Sequence, residues 1–311
     1  MITSTIQQRT PDWFRARLGK ITGSAVGNII SKGKGADFTK TGLTYLNGVV
    51  AERILQPDII ADDDFFQTYL DEVNTTSKAM RIGTEREQEA RELYAAVRNE
   101  QVEEAGSVEH PDIRGFASSP DGVIADGVVK GVLEIKCPTP ATYVNYLSAI
   151  QTAEDLKAVN SDYYWQCYSH MAVTGAAWCD FVAYCPYLKV PLHIVRINRD
   201  EEVINQLLER VRLALQYIDA TVLNALKSLP ELPESPQPSE LEETPTPSEQ
   251  PEPDSEIRIS KADLIFLAET LLPKLIEAFP IEKDDIRAEN LIRRGKLLLN
   301  KLTTKLNKIK R

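Results

Sequence analysis

The chain of 311 residues has no Cys-x-x-Cys pair. Its four cysteines, at 137, 167, 179 and 185, lack the tight spacing that structural zinc and iron–sulfur sites use. They read instead as reduced, mostly buried thiols. No apolar run approaches the ~20 residues of a membrane span, and Met1 is followed by a polar stretch unlike a secretory leader. The expectation is a soluble protein with no membrane partner, cytoplasmic, in a bacterial host if phage-encoded. No segment repeats at a fixed period. A positive balance is also missing: 36 basic against 46 acidic residues give a net charge of −10. This counts mildly against nucleic-acid binding, and its distribution matters more than its sum.

Residues 229–256 hold nine acids, no base and eight prolines. Such a stretch buries too little surface to offset its ordering entropy and reads as an extended, self-repelling linker. It separates a domain at 1–228, net −7, from a basic module at 257–311, net +6. Any DNA contact in the acidic domain must then come from a local basic lining, or from metal ions held by the acids. In the module, 260–279 and 284–309 read as two helices, with Leu291, Leu298, Leu302, Leu306 and Ile309 roughly on one face. Arg287 to Arg311 carry nine bases and one acid. That pattern suits a DNA-contacting arm or a dock for a protein partner, and equally a solubilising helical hairpin.

Residues 1–228 read as mixed α/β. Thr10-Pro11-Asp12 is a helix start leading into Trp13, Phe14 and Leu18, and a second start lies near Thr22-Gly23-Ser24. Helices are expected over 83–99, 161–174 and 199–226, and strands over 178–184 and 192–197. Between Ile113 and Cys137 apolar alternation is broken by turns at Pro120-Asp121-Gly122 and Asp126-Gly127. Such alternation of elements suggests a central mixed sheet flanked by helices. Residues 57–77, Asp-rich and then Asn74-Thr75-Thr76-Ser77, match nothing placeable.

The chemistry concentrates in Ser118-Ser119-Pro120-Asp121-Gly122 and Gly131-Val132-Leu133-Glu134-Ile135-Lys136-Cys137-Pro138. On a strand, Glu134 and Lys136 share a face and Ile135 points the other way. Asp121 meets Glu134 across a hairpin, and two close acids repel unless a cation joins them. A hard divalent ion does so, and Mg²⁺ is the common choice, with the Ile135 carbonyl as a further ligand. Phosphodiester hydrolysis then follows: the metal polarises the phosphate and acidifies its water, and Lys136 orients that water or stabilises developing charge. Asp…Glu-x-Lys is a loose pattern that also fits a surface hairpin with an ordinary ion pair.

Three further segments narrow it. Glu87 sits on a helix where a carboxylate can face the site, although Glu85, Glu89 and Glu92 suit a solvated face equally well. Tyr163-Tyr164-Trp165-Gln166 sets a polar amide in an aromatic helix, which also suits a core helix with a satisfied Gln. Trp13 to Ser24 combines guanidinium groups, hydroxyls and a helix start, the parts of a phosphate pocket. An amphipathic helix with an exposed basic side is the plain alternative.

In this order the segments resemble the YqaJ-like viral recombinase, or phage lambda exonuclease, family of the PD-(D/E)xK nuclease fold. The resemblance spans about residues 7–220 and rests on Trp13…Arg17-Leu18-Gly19-x-Ile21-Thr22-x-Ser24, Gly83-x-x-x-Glu87, Ser119-Pro120-Asp121-Gly122, Leu133-Glu134-Ile135-Lys136-Cys137-Pro138 and Tyr163-x-x-Gln166. It implies Asp121, Glu134 and the Ile135 carbonyl as metal ligands. Glu87 would lie near a second metal, Lys136 would be the catalytic lysine, and Gln166 the supporting amide. Arg17 and Ser24 would form the pocket for a DNA 5′-phosphate. The implied activity is 5′→3′ digestion of one strand of linear duplex DNA, leaving 3′ overhangs, with two Mg²⁺ per site and Mn²⁺ as substitute. The implied assembly is a trimer around DNA beside a single-strand annealing protein, docked through 257–311 if that module is the dock. An endonuclease of the same fold and a non-catalytic DNA-binding subunit are the rivals. The linker and C-terminal module depart from the family pattern, whose core usually ends the chain.

Overall fold

The computed structural model describes residues 6–73 and 78–227, the side chains of 78–84 excepted. The expected linker (229–256), the module (257–311) with its two helices, Asn74 to Ser77 and the Gly83 and Thr84 side chains lie outside the described residues.

In chain order the elements are α1 (Pro11–Arg17), β1 (Ile21–Thr22), a 3₁₀ turn (Gly23–Ala25), α2 (Gly27–Ile30), α3 (Lys40–Arg53), α4 (Pro57–Ala61), α5 (Asp63–Val73), α6 (Lys78–Arg98), β2 (Val108–Glu109), β3 (Phe116–Ser118), β4 (Gly122–Asp126), β5 (Val128–Lys136), α7 (Pro140–Ala149), α8 (Ala153–Val159), α9 (Ser161–Thr174), β6 (Trp178–Tyr184), β7 (Leu192–Asn198) and α10 (Glu201–Lys227). The fold is α/β, as the sequence predicts. Its centre is a mixed four-stranded sheet in the order β4-β5-β6-β7, in which only the β5–β6 pair is parallel. A second, three-stranded sheet runs β1-β3-β2. The mixed central sheet expected from the sequence is present; the small second sheet was not foreseen, because β1 and β2 are two-residue pairings too short to leave a periodic signal.

Local chemistry explains the elements that hold the site. Thr10 caps α1 by accepting from the Trp13 N–H, and Pro11 occupies the first turn, where its missing N–H costs nothing. Gly127, at φ +74°, makes the tight turn joining β4 to β5. Asn160 caps α9, and Gly175 ends it in the left-handed conformation.

Alternation along β5 divides the core between two layers. Val132 joins the cluster beneath α9, which also holds Tyr143, Tyr164, Met171 and Phe181. Leu133 and Ile135 join Ala90 and Tyr94 of α6 on the opposite face. A charged side chain at 134 or 136 must therefore project toward α9. Among the described residues no helix is long and apolar enough to cross a membrane.

Candidate active site

Asp121 stands where the chain leaves the small sheet and enters the large one. Its N–H donates to the Leu133 carbonyl at 3.0 Å, and its Oδ2 accepts from the Ile135 N–H at 2.7 Å. The Gln8 amide donates to the Pro120 carbonyl at 2.9 Å, and Arg91 Nε donates to the Asp121 carbonyl at 2.7 Å. The hairpin register pairs Gly122 with Leu133, so Asp121 and Glu134 meet as the sequence predicts.

Glu134 is fully buried and Asp121 is 8% exposed. Glu134 Oε1 forms an ion pair with Lys136 Nζ but accepts no directed hydrogen bond. The ammonium neutralises this oxygen and is its one polar side-chain neighbour among the described residues. Lys136 also lies 4.7 Å above the Tyr163 ring, and its Nζ reaches Gln166 Oε1 at 3.5 Å.

Beside this group Arg17 donates to Ser119 Oγ at 3.0 Å and to Ser24 Oγ at 3.3 Å. Trp13 Nε1 donates to the same Ser119 Oγ at 3.2 Å, and the Arg17 guanidinium lies 4.2 Å from the Trp13 ring centre. Arg17, Ser24, Glu87, Asp121, Glu134, Ile135, Lys136 and Gln166 all line one open cleft of about 490 Å³. Five segments far apart in sequence thus converge on one surface.

A family model described as the YqaJ-like viral recombinase domain matches residues 12–177. The chain belongs to that family. Among solved structures it is similar to an alkaline exonuclease (LHK-Exo) from Laribacter hongkongensis, at 30% identity over 70% of this chain and 97% of that one, TM-score 0.55. LHK-Exo in complex with dAMP matches with the same values. A phage-related exonuclease from Haemophilus somnus 129PT matches at 18% identity over 66% and 96% of the two chains, TM-score 0.47. No curated protein sequence matches significantly.

For this YqaJ-like domain the electrostatics follow from burial. Desolvation, then the Glu134 and Glu87 carboxylates, push Asp121 well above the usual carboxylate range. Burial would also raise Glu134, but Lys136 and the His170 hydrogen bond outweigh it and hold that carboxyl low. Lys136 is likewise raised despite burial, by Glu134 and then Asp121. Burial pulls the half-buried Arg17 down to about 10, which leaves it cationic at neutral pH. Cys137 also lines the cleft, and burial with Glu87 and Asp121 pushes its thiol up to about 12, so it is no nucleophile. The four cysteines are free thiols, three of them buried, in line with the sequence reading.

Glu87 is the buried member of its acidic stretch, at 6% exposure, while Glu85, Glu89 and Glu92 lie on the exposed side of α6. Its carboxylate is already engaged, with Arg9 at 2.5 Å and Arg91 at 3.2 Å. Among the described residues no three His, Cys, Asp or Glu side chains stand together as a ready metal cluster. The donor set in place is therefore two carboxylates and the Ile135 carbonyl edge. Two buried acids, one with an oxygen that meets only the Lys136 ammonium, fit a hard divalent cation. Glu87 joins them only if it leaves its arginines.

Sequence reasoning missed four contributors: Arg9 and Arg91, which hold Glu87, Ser119, which completes the Arg17 pocket, and His170, fully buried against Glu134. Ser119 was signalled by its place beside Pro120-Asp121. His170 was signalled only by its position one helical turn beyond Gln166.

Proposed function

We propose that this chain is a phage-type exonuclease that digests one strand of linear duplex DNA from the 5′ end, with Mg²⁺ or Mn²⁺ as cofactor, and leaves 3′ overhangs for recombination. The juxtaposition of two groups in one cleft carries this reading. One is a pocket of a guanidinium and two hydroxyls, a donor set suited to a terminal phosphate. The other is the buried acid pair with its lysine. Placed together, the pocket sets the scissile bond at a fixed distance from a DNA end.

Asp121 and Glu134, with the Ile135 carbonyl, would hold the cation, and Glu87 would serve a second one after release from Arg9 and Arg91. A bound divalent ion supplies charge for the phosphoryl oxygens and lowers the pKa of its water. Lys136, kept cationic by the two acids, acts through charge: it orients the attacking water and offsets negative charge developing on phosphorus. Gln166 and Tyr163 fix the ammonium in place. The basic lining that an acidic domain needs is supplied locally by Arg9, Arg17 and Lys136. By the same family reading the enzyme works as a trimer on duplex DNA beside a single-strand annealing protein.

The test is Arg17→Ala on linear duplexes carrying either a 5′-phosphate or a 5′-hydroxyl. Wild type is expected to prefer the phosphorylated end, and the variant to lose most of that preference. An unchanged preference would show that the pocket does not bind the terminal phosphate.

A further inference from the structure

Of the three histidines only His170 is buried, and it does not line the cleft. Its Nε2 lies 2.5 Å from Glu134 Oε2, and its Nδ1 lies 2.7 Å from Ser118 Oγ. An ionised Glu134 only accepts hydrogen bonds, so Nε2 carries the hydrogen and the Ser118 hydroxyl, free to rotate, donates to Nδ1. One oxygen of the carboxylate is thereby fixed. The other, Oε1, meets only the Lys136 ammonium among the described side chains.

We propose that His170 is a positioning residue, which clamps Glu134 Oε2 so that Oε1, beside the Lys136 ammonium, is presented to a divalent cation, with Ser118 fixing the imidazole. This rests on the metal-dependent reading of the site. The arrangement places both charges of the Glu-x-Lys pair under control of one helix. Gln166 and His170, four residues apart on α9, share a face; the first meets Lys136 and the second Glu134. Outer partners that orient a ligand in this way tune metal affinity without touching the metal.

Ser118 is seated in turn by the turn that carries the phosphate pocket. A Cβ at Gly23 would lie 2.0 Å from Ser118 Oγ and 3.2 Å from Ser169 Cβ, so only glycine allows this approach. Gly23 directly precedes Ser24. The backbone that places the phosphate hydroxyl thus also seats the serine that holds His170.

The experiment is calorimetric titration of the full-length chain with MgCl₂, for wild type, Asp121→Asn, His170→Ala, His170→Gln and Ser118→Ala, alongside thermal melts in chelator. Wild type is expected to bind Mg²⁺ and Asp121→Asn to lose most of that binding. His170→Ala and Ser118→Ala are expected to bind about 10- to 100-fold more weakly well below their melting temperatures. His170→Gln keeps an N–H donor and should recover part of the loss. A role confined to packing would lower the melting temperature and leave Mg²⁺ affinity at the wild-type value, which would overturn the proposal. If His170→Ala does not fold, Ser118→Ala decides, since it deletes one hydroxyl. Failure of wild type itself to bind Mg²⁺ would refute the metal reading instead, and the proposal with it.

Discussion

Asp121→Asn is expected to stabilise the metal-free protein while abolishing its activity. The substitution keeps the side chain's shape, and the amide oxygen can still accept from the Ile135 N–H at the position of Oδ2. What it removes is a buried negative charge facing Glu134 and Glu87. Two like unit charges about 4 Å apart repel by about 4 kcal/mol at an effective dielectric of about 20. Lys136 and the Ile135 N–H offset part of this. A net gain of about 2 kcal/mol is expected, or about 4–8 °C in melting temperature for a domain of this size. The pH dependence has a definite sign. The folded-state pKa of Asp121 lies above its unfolded value, so between the two the folded protein holds a proton that the unfolded chain has released. This group's contribution to stability therefore falls as pH rises through that window. Thermal melts in chelator at pH 5.5 and pH 8 should show Asp121→Asn gaining most at pH 8, and Mg²⁺ should raise the melting temperature of wild type alone. A variant that melts below wild type in chelator at pH 8 would refute the reasoning, because the acids would then not be destabilising one another.

Two more predictions concern the same core. Mg²⁺ affinity should rise with pH through the raised Asp121 pKa, with proton release visible as a buffer-dependent binding enthalpy; affinity that does not rise anywhere from acidic to alkaline pH would count against Asp121 as a ligand. Tyr94→Phe should cost about 1–2 kcal/mol in denaturant unfolding and leave kcat unchanged, because the hydroxyl donates to buried Asp180 Oδ2 at 2.7 Å on the face of the sheet away from the cleft. A large loss of kcat would mean that the two faces are coupled.

The parts legible in sequence were those whose signal is local. Period-two alternation with Gly127 at the turn marked the β4–β5 hairpin, and the Asn160 and Gly175 caps mark α9 at residues 161–174. The acid pair and lysine followed from that hairpin alone. Residues 57–73 resisted because their acids read as a solvated run. The structure shows Asp62 Oδ1 accepting from the Asp64 and Phe65 N–H groups, which starts α5, while Phe66 and Leu70 turn inward. The helix α3 was hidden by Gly42 and Gly48 and by weak segregation of its apolar residues. His170 was beyond reach for a different reason. Its partners lie 36 and 52 residues away, and a lone histidine in an apolar helix says nothing of them. Glu87 was placed at the site, but its two arginines depend on how α6 packs against residues 7–9.

The most direct test of the central claim is digestion of linear and covalently closed circular duplex DNA, with Mg²⁺ and with chelator, by wild type and Lys136→Ala. The account predicts loss of linear DNA only, from the 5′-labelled end first. It predicts no digestion in chelator and a loss of about 10²–10³ in rate for Lys136→Ala, the scale of removing one charge-stabilising donor. Cutting of closed circles, or undiminished digestion by Lys136→Ala, would contradict it.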